Sequence, residues 1–148
     1  MAYFVFGKNL DNIDATIYRI AENQNDLNDL NITPSVYKII EDSQSNFDLV
    51  KFGNKFTKKY NNNVITYVDQ IISFNNKNEL QNHINDFKKS IKQFTDNNPN
   101  HPLFNRWNDY YNQLNNLNLD SITYPLNKSL EQYFNDLGQP SLNSLQLP

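Results

Sequence analysis

Residues 76–118 constrain the fold more than any other stretch. Leu80, Ile84, Phe87, Ile91 and Phe94 recur at alternating spacings of four and three. After a break at Asn97-Asn98-Pro99-Asn100-His101-Pro102, Phe104, Trp107, Tyr111, Leu114 and Leu117 do much the same. Such spacings put side chains on one side of a helix. Two apolar stripes joined by a turn therefore predict a helical hairpin on which the rest of the chain packs. Asn76-Lys77-Asn78-Glu79 reads as a capping box, with Asn as cap and Glu three residues on. Pro102 suits the first turn of the second helix.

Ahead of the hairpin the pattern is that of strands. Tyr3–Phe6 is aromatic and β-branched and is ended by Gly7. Lys8–Asp14 reads as a polar loop, and Thr16–Ala21 as a second strand hairpinned to the first. Val36–Glu41 is a third strand, set off by Thr33-Pro34. Val64–Val68 is a fourth, preceded by a turn at Asn61-Asn62-Asn63. Asn23–Leu30 holds caps and a short helical turn. A further helix is predicted from about Asn46, capped by Ser43 or Ser45, with Leu49, Phe52 and Phe56 at helical spacing and Gly53 weakening it or ending it early. Beyond the hairpin, Asn127–Leu137 predicts a short third helix with Leu130, Tyr133, Phe134 and Leu137 on one face, ended by Gly138 and Pro140. The tail Ser141–Pro148 carries Leu142, Leu145 and Leu147 and is predicted to lie extended on another surface. Strands early and helices late predict an α+β fold: a small, mainly antiparallel sheet of about four strands, then the hairpin, the short helix and the extended tail. The 148 residues fit one domain, with a strand-rich part at 1–72, the hairpin at 76–118 and the helix and tail at 126–148.

Composition narrows the function classes. Aromatic residues make up 14% of the chain, so rings are available to fill the core. A net charge of −3 argues against broad binding to phosphate backbones. Without cysteine there is no disulfide framework, no thiolate nucleophile and no Cys-ligated zinc. No run approaches the roughly 20 apolar residues of a membrane span. The opening Met1-Ala2-Tyr3-Phe4-Val5-Phe6-Gly7 is too short for a signal peptide. The expectation is a soluble protein made in a cytoplasm, with no membrane partner. Asn, the commonest polar residue, fits an AT-rich genome, which favours Asn, Lys, Ile, Tyr and Phe codons together; the alternative, a low-complexity Asn-rich assembly tract, needs longer polar runs than Asn61-Asn62-Asn63.

A search for reactive groups yields no set. His83 has Asp86 and Phe87 one turn on, but one His–Asp pair does not hold a metal. His101, before Pro102, suits a helix start. Asp26 with Asp29 lacks the glycine and the terminal glutamate of a calcium loop, and Glu41 with Asp42 suits helix capping. No nucleophile elbow, phosphate loop or dinucleotide fingerprint is present. No catalytic, metal-binding or cofactor-binding residue is predicted, and no enzyme activity. Lys51–Tyr60 interleaves lysines with aromatics. That pattern fits a single-strand nucleic-acid clamp, or a helix with Phe52, Phe56 and Tyr60 facing the core and the lysines facing water; the spacing of four favours the helix. The second long helix is rich in rings. Tyr110 projects beside the stripe of Trp107 and Tyr111, either as an interface anchor or to widen the buried stripe. The predicted partner-binding residues are Trp107, Tyr110, Tyr111, Leu142, Leu145 and Leu147.

Trp107-x-x-Tyr110-x-x-x-Leu114, followed by Tyr124-Pro125, resembles a short segment near the end of many phage tail-fibre assembly proteins, although Tyr111 stands where a basic residue usually follows the Tyr. The chain as a whole, with its Tyr3-Phe4-Val5-Phe6 opening and its Leu-Glu-Gln-Tyr-Phe-Asn-Asp segment at Leu130–Asp136, resembles small Asn-rich proteins of marine T4-like phages infecting cyanobacteria. The resemblance implies a virion component of the tail, baseplate or neck, made in the host cytoplasm and contacting other phage structural proteins or copies of itself in a symmetric assembly. The alternatives are a tail-fibre assembly chaperone that does not stay in the particle, and a nucleic-acid-binding phage regulator.

Overall fold

The computed structural model describes residues 1–7, 13–14, 16–61 and 64–148. The fold is α+β, with antiparallel strands early and helices late. It divides into two compact units, Met1–Ile71 with Leu145–Pro148, and Ile72–Ser144. The strand-rich part expected within one domain forms the first unit. The helical part forms the second, except that Leu145–Pro148 belongs with the strands.

In the first unit β1 (Ala2–Gly7) lies between β3 (Arg19–Ala21) and β4 (Tyr37–Asp42), antiparallel to both, with Tyr3 in register with Ala21 and Glu41. A strand covered on both faces needs apolar residues at both parities, and Ala-Tyr-Phe-Val-Phe supplies them. Ala2, Phe4 and Phe6 pack with Ile17, Ile20 and the Phe47 and Val50 of α2 (Gln44–Lys51). On the other face Val5 and Ala21 pack with Leu27 and Leu30 from and beside α1 (Gln24–Asp29). Both helices are capped as the sequence predicts: Asn23 Oδ1 accepts the Asp26 amide at 2.9 Å and Ser43 Oγ the Asn46 amide at 3.1 Å.

The strands form two three-stranded sheets, the second being β2 (Ile13–Asp14), β5 (Lys55–Asn61) and β6 (Val64–Asp69) in the order β2-β5-β6. β5 occupies the stretch predicted to continue the helix through Phe56 and Tyr60. Gly53, at φ 78°, stops that helix. Its amide bonds Val50 O and the Asn54 amide bonds Leu49 O, the paired bonds of a Schellman stop. A spacing of four is close to one helical turn and equals two strand repeats, so Phe52-Phe56-Tyr60 fits either period. The predicted loop at Lys8–Asp14 ends in strand at Ile13–Asp14, and Asn61 of the predicted turn ends β5; the rest of both stretches lies outside the described residues. Thr16–Ala21 is strand only from Arg19.

The second unit is the hairpin and what closes on it. α3 (Lys77–Asn97) buries all five predicted stripe residues, Leu80, Ile84, Phe87, Ile91 and Phe94. Asn76 Oδ1 accepts the Glu79 amide at 3.0 Å, and Glu79 reaches back to the Asn75 amide at 2.7 Å, one residue earlier than in a standard box. α4 (Phe104–Asn115) buries Trp107, Tyr110 and Leu114. The two helices meet over the rings: Phe87 stands edge-on to Trp107 at 6.0 Å and to Tyr110 at 5.7 Å. After a 3-10 turn at Leu119–Ser121, Leu126 exchanges two backbone hydrogen bonds of 2.8 Å with Phe74. α5 (Leu130–Asp136), capped by Ser129, brings Phe134 to within 6.0 Å of the Tyr110 ring. Gly138 ends it at φ 70°. Leu137, placed on the buried face by its spacing, is its exposed C-cap.

Candidate interaction surface

Exposed apolar side chains stand at or beside both outer strands of the first sheet. β4 is an edge strand: among the described residues no strand pairs on its far side. Val36, just before it, is 53% exposed, Ile39 within it 37%, and Tyr18, just before β3, 40%. Large apolar side chains this exposed at neighbouring positions mark a surface worth explaining. The Tyr18 and Tyr37 rings lie parallel, 4.6 Å apart and 9° from coplanar. Gly7, in register with Tyr37, puts no side chain between them. A hydrogen bond to Tyr18 raises the Tyr37 phenol above its usual range. The Arg19 guanidinium sits 4.2 Å above the Tyr18 ring, with Nη1 donating to Tyr18 O at 2.9 Å and Nε buried without a partner. The stack fixes the rings before any partner arrives, so binding orders little that is not already ordered. Tyr and Arg held in this way are the side chains that carry most energy in protein contacts.

The residues predicted to bind a partner lie elsewhere, and most are interior. An anchor has to be exposed before it docks, and Trp107, Tyr110, Leu142 and Leu147 are buried. Tyr110 is 3% exposed, so of the two readings of this residue the structure takes the wider buried stripe. Tyr111 moves the other way. It is half-buried, outside the stripe, with the Lys88 ammonium 5.4 Å from its ring. Both tyrosines satisfy helical spacing from Trp107 to Leu114; the position of Phe134 decides that Tyr110 faces inward. Leu145 packs on the Phe4–Phe47 cluster of the first unit.

Tyr110 also carries a buried hydroxyl. Burial and the neighbouring Glu131 charge push its phenol well up, and its hydroxyl has no hydrogen bond of normal geometry, the Leu142 amide offering only a weak one. It borders a shallow apolar depression of about 290 Å³ with Pro140 and Leu142.

Both histidines and Asp42 are held by local contacts. His101 Nδ1 accepts the Leu103 amide at 3.0 Å and its ring stands on Phe94, which makes it a helix-start residue. His83 leans on Phe74 at 5.2 Å; burial pushes its imidazole down, against the pull of Asp86. Asp42 accepts from Ser43 N, Asn46 Nδ2 and the Tyr67 hydroxyl. Burial would raise that carboxyl, but these donors together hold it below its usual range. Among the described residues no three His, Cys, Asp or Glu side chains converge on a point that could hold a metal. In the lysine-rich stretch Lys55 pairs with Asp69 across β5 and β6, and the Lys51 ammonium lies 5.5 Å from the Phe52 ring. Among the described residues no helix is long and apolar enough to cross a membrane.

Sequence reasoning placed the strand at Val36–Glu41 but not the surface on it. Val36, Tyr37 and Ile39 read as ordinary strand residues, and only the strand order shows that they stand at an edge. No family model, no curated protein and no solved structure matches this chain.

Proposed function

We propose that this chain is a structural component of a phage particle, in the tail, baseplate or neck, and that it works by protein–protein contact. The observation that supports this most is the prearranged stack of Tyr18, Tyr37 and Arg19, with Tyr18 exposed, together with exposed Val36 and Ile39 at the open edge strand β4. It takes over the docking role expected of Trp107 and the tail leucines. A partner would cover these side chains with apolar surface of its own, as the centre of an interface whose usual total is about 1,600 Å². The phage setting comes from the resemblance of the chain to small virion and assembly proteins.

Mass spectrometry of purified, stringently washed particles tests the proposal. The chain should be present in constant stoichiometry from one preparation to the next. Its absence from washed particles, together with its recovery on tail-fibre precursors, would favour the assembly chaperone, which uses the same surface transiently. Salt-sensitive binding to single strands, weakened by reversing Lys58 and Lys59, would move the assignment to the nucleic-acid-binding regulator.

A further inference from the structure

Along its outer side β4 presents backbone amides and carbonyls to which, among the described residues, no strand bonds. Such an edge is a template for one more strand. The side chains of β4 decide which strand suits it. Lys38, Ile40 and Asp42 stand in register with Phe6, Phe4 and Ala2 of β1, so they share the face of the Phe4 cluster, on which Ile40 packs. Tyr37, Ile39 and Glu41 alternate to the other face. Ile39 among them is 37% exposed.

Two copies of β4 can pair antiparallel about a two-fold axis perpendicular to the sheet, the symmetry of an isologous dimer. That axis keeps each face on its own side. A residue then opposes only positions of equal parity in the other copy, and one residue opposes its own twin. Centring the pair on Lys38 sets lysine against lysine, and centring it on Glu41 sets glutamate against glutamate. Like charges directly opposite destabilise a strand pair. Centring on Ile39 sets Lys38 against Ile40 and Tyr37 against Glu41, so no charge has an opposite charge directly across. Centring on Ile40 sets Lys38 against Asp42 twice, once on each side of an Ile40 pair, and opposite charges so placed stabilise it. Asp42 has room for the extra donor. It accepts from Ser43 N, Asn46 Nδ2 and the Tyr67 hydroxyl, and an ionised carboxylate offers about four such places. From this charge pattern we infer that β4 pairs with β4 of a second copy in the register centred on Ile40, so that two three-stranded sheets continue into each other. The inference rests on the reading of β4 as a docking edge and names what docks there.

The chain has no cysteine, so single cysteines in the full-length protein read the register. Directly opposite Cα atoms of an antiparallel pair lie about 4.5–5.5 Å apart, within reach of a disulfide. Twins offset by two residues along the strands lie beyond the limit of about 7 Å. Under mild oxidation Ile40→Cys should give a covalent dimer, and Ile39→Cys and Glu41→Cys roughly tenfold less of it. In sedimentation, wild type should dimerise with rising concentration, and Lys38→Glu should weaken that dimer roughly tenfold or more with an unchanged circular dichroism spectrum. If the reduced Ile40→Cys chain has lost its strands, Lys38→Glu decides alone. A wild-type chain that stays monomeric at every concentration overturns the inference. So does cross-linking that is strongest at Ile39→Cys or Glu41→Cys, or a dimer that Lys38→Glu leaves intact. Monomeric chain whose Val36→Asp, Ile39→Asp variant is nevertheless lost from particles removes the self-pairing and keeps the docking edge. A dimer in this register from a chain absent from washed particles keeps the pairing and removes the phage assignment.

Discussion

Tyr110 meets Phe87 edge-on, 5.7 Å between ring centroids and 64° between planes, and on its other side it meets Phe134 at 6.0 Å. One side chain of α4 thus ties the long helix to the short one that follows. Edge-to-face pairs add about 0.5–1.5 kcal/mol each beyond the area they bury. The ring and the hydroxyl of Tyr110 should therefore pull in opposite directions. Tyr110→Ala removes both ring pairs and leaves a cavity, and should cost about 3–5 kcal/mol. Tyr110→Phe removes only a buried hydroxyl that lacks a partner, and should leave stability unchanged or raise it by about 1 kcal/mol. Denaturant unfolding followed by Trp107 fluorescence measures both; a Phe variant much weaker than wild type would mean that the hydroxyl is satisfied in solution.

The hydrogen bond from Tyr67 to Asp42 joins the second sheet to the first within one unit, and it predicts a stability that falls at both ends of the pH scale. The Asp42 carboxyl is held below its ordinary value of 3.8, so its contribution is complete above that value and is lost as pH falls through the depressed one. Burial first, and the Asp42 charge with its hydrogen bond second, raise the Tyr67 phenol above its ordinary 10.0, so that contribution is complete below 10.0 and is lost as pH climbs through the raised value. Tyr67→Phe should flatten the alkaline slope and weaken the acid one. Asp42→Asn should flatten the acid slope. At neutral pH each should cost about 1 kcal/mol, less than a fully buried charged hydrogen bond because both groups are partly exposed. Urea midpoints by circular dichroism across the pH range decide this, and slopes that persist in both variants would assign the dependence to other groups.

The hairpin was legible in the sequence because its signal is local. Leu80 to Phe94 repeats a helical period over several turns, and no other period fits so long a run. Asn76, Ser43 and Gly138 were legible for a similar reason, since caps and stops depend on a few neighbouring residues. Phe56 and Tyr60 misled because a spacing of four satisfies both periods, and Gly53 had to be read as a full stop to resolve it. Tyr110 and Tyr111 could not be told apart, since the choice rests on Phe134, which is remote in sequence. The exposed edge at Val36–Ile39 was hidden for the same reason: strand order is set by long-range pairing, and β1 takes the centre because both of its faces find a helix.

Separate cores should unfold separately. Trp107 is the single tryptophan of the chain and lies in the second unit, so its fluorescence reports that unit alone. Phe47 is fully buried in the first unit against Phe4 and Phe6, and Phe47→Ala should weaken that core by about 3–5 kcal/mol. The far-ultraviolet transition should then split, one part moving to lower denaturant while the Trp107 transition holds its midpoint to within about 0.5 kcal/mol. If the Trp107 midpoint moves by the full amount, the units unfold as one.

The edge cluster should separate binding from folding. Val36 is 53% exposed and Ile39 37%; substitutions outside caps and cores usually change stability by no more than about 0.5 kcal/mol, and the more covered Ile39 sets the upper end. Val36→Asp with Ile39→Asp places two charges where a partner would have to bury them, and an unpaired buried charge is costly. The double variant should melt close to wild type, yet be lost from particles, or from a pull-down of particle proteins, by roughly tenfold or more. Tyr18→Ala should act in the same direction but also give up the stack on Tyr37, so part of its effect should appear as lost stability. Trp107→Ala, in contrast, should reduce binding only in proportion to the fraction of chain that unfolds. Retention of the Val36 and Ile39 double variant at wild-type level would remove the edge from the docking surface.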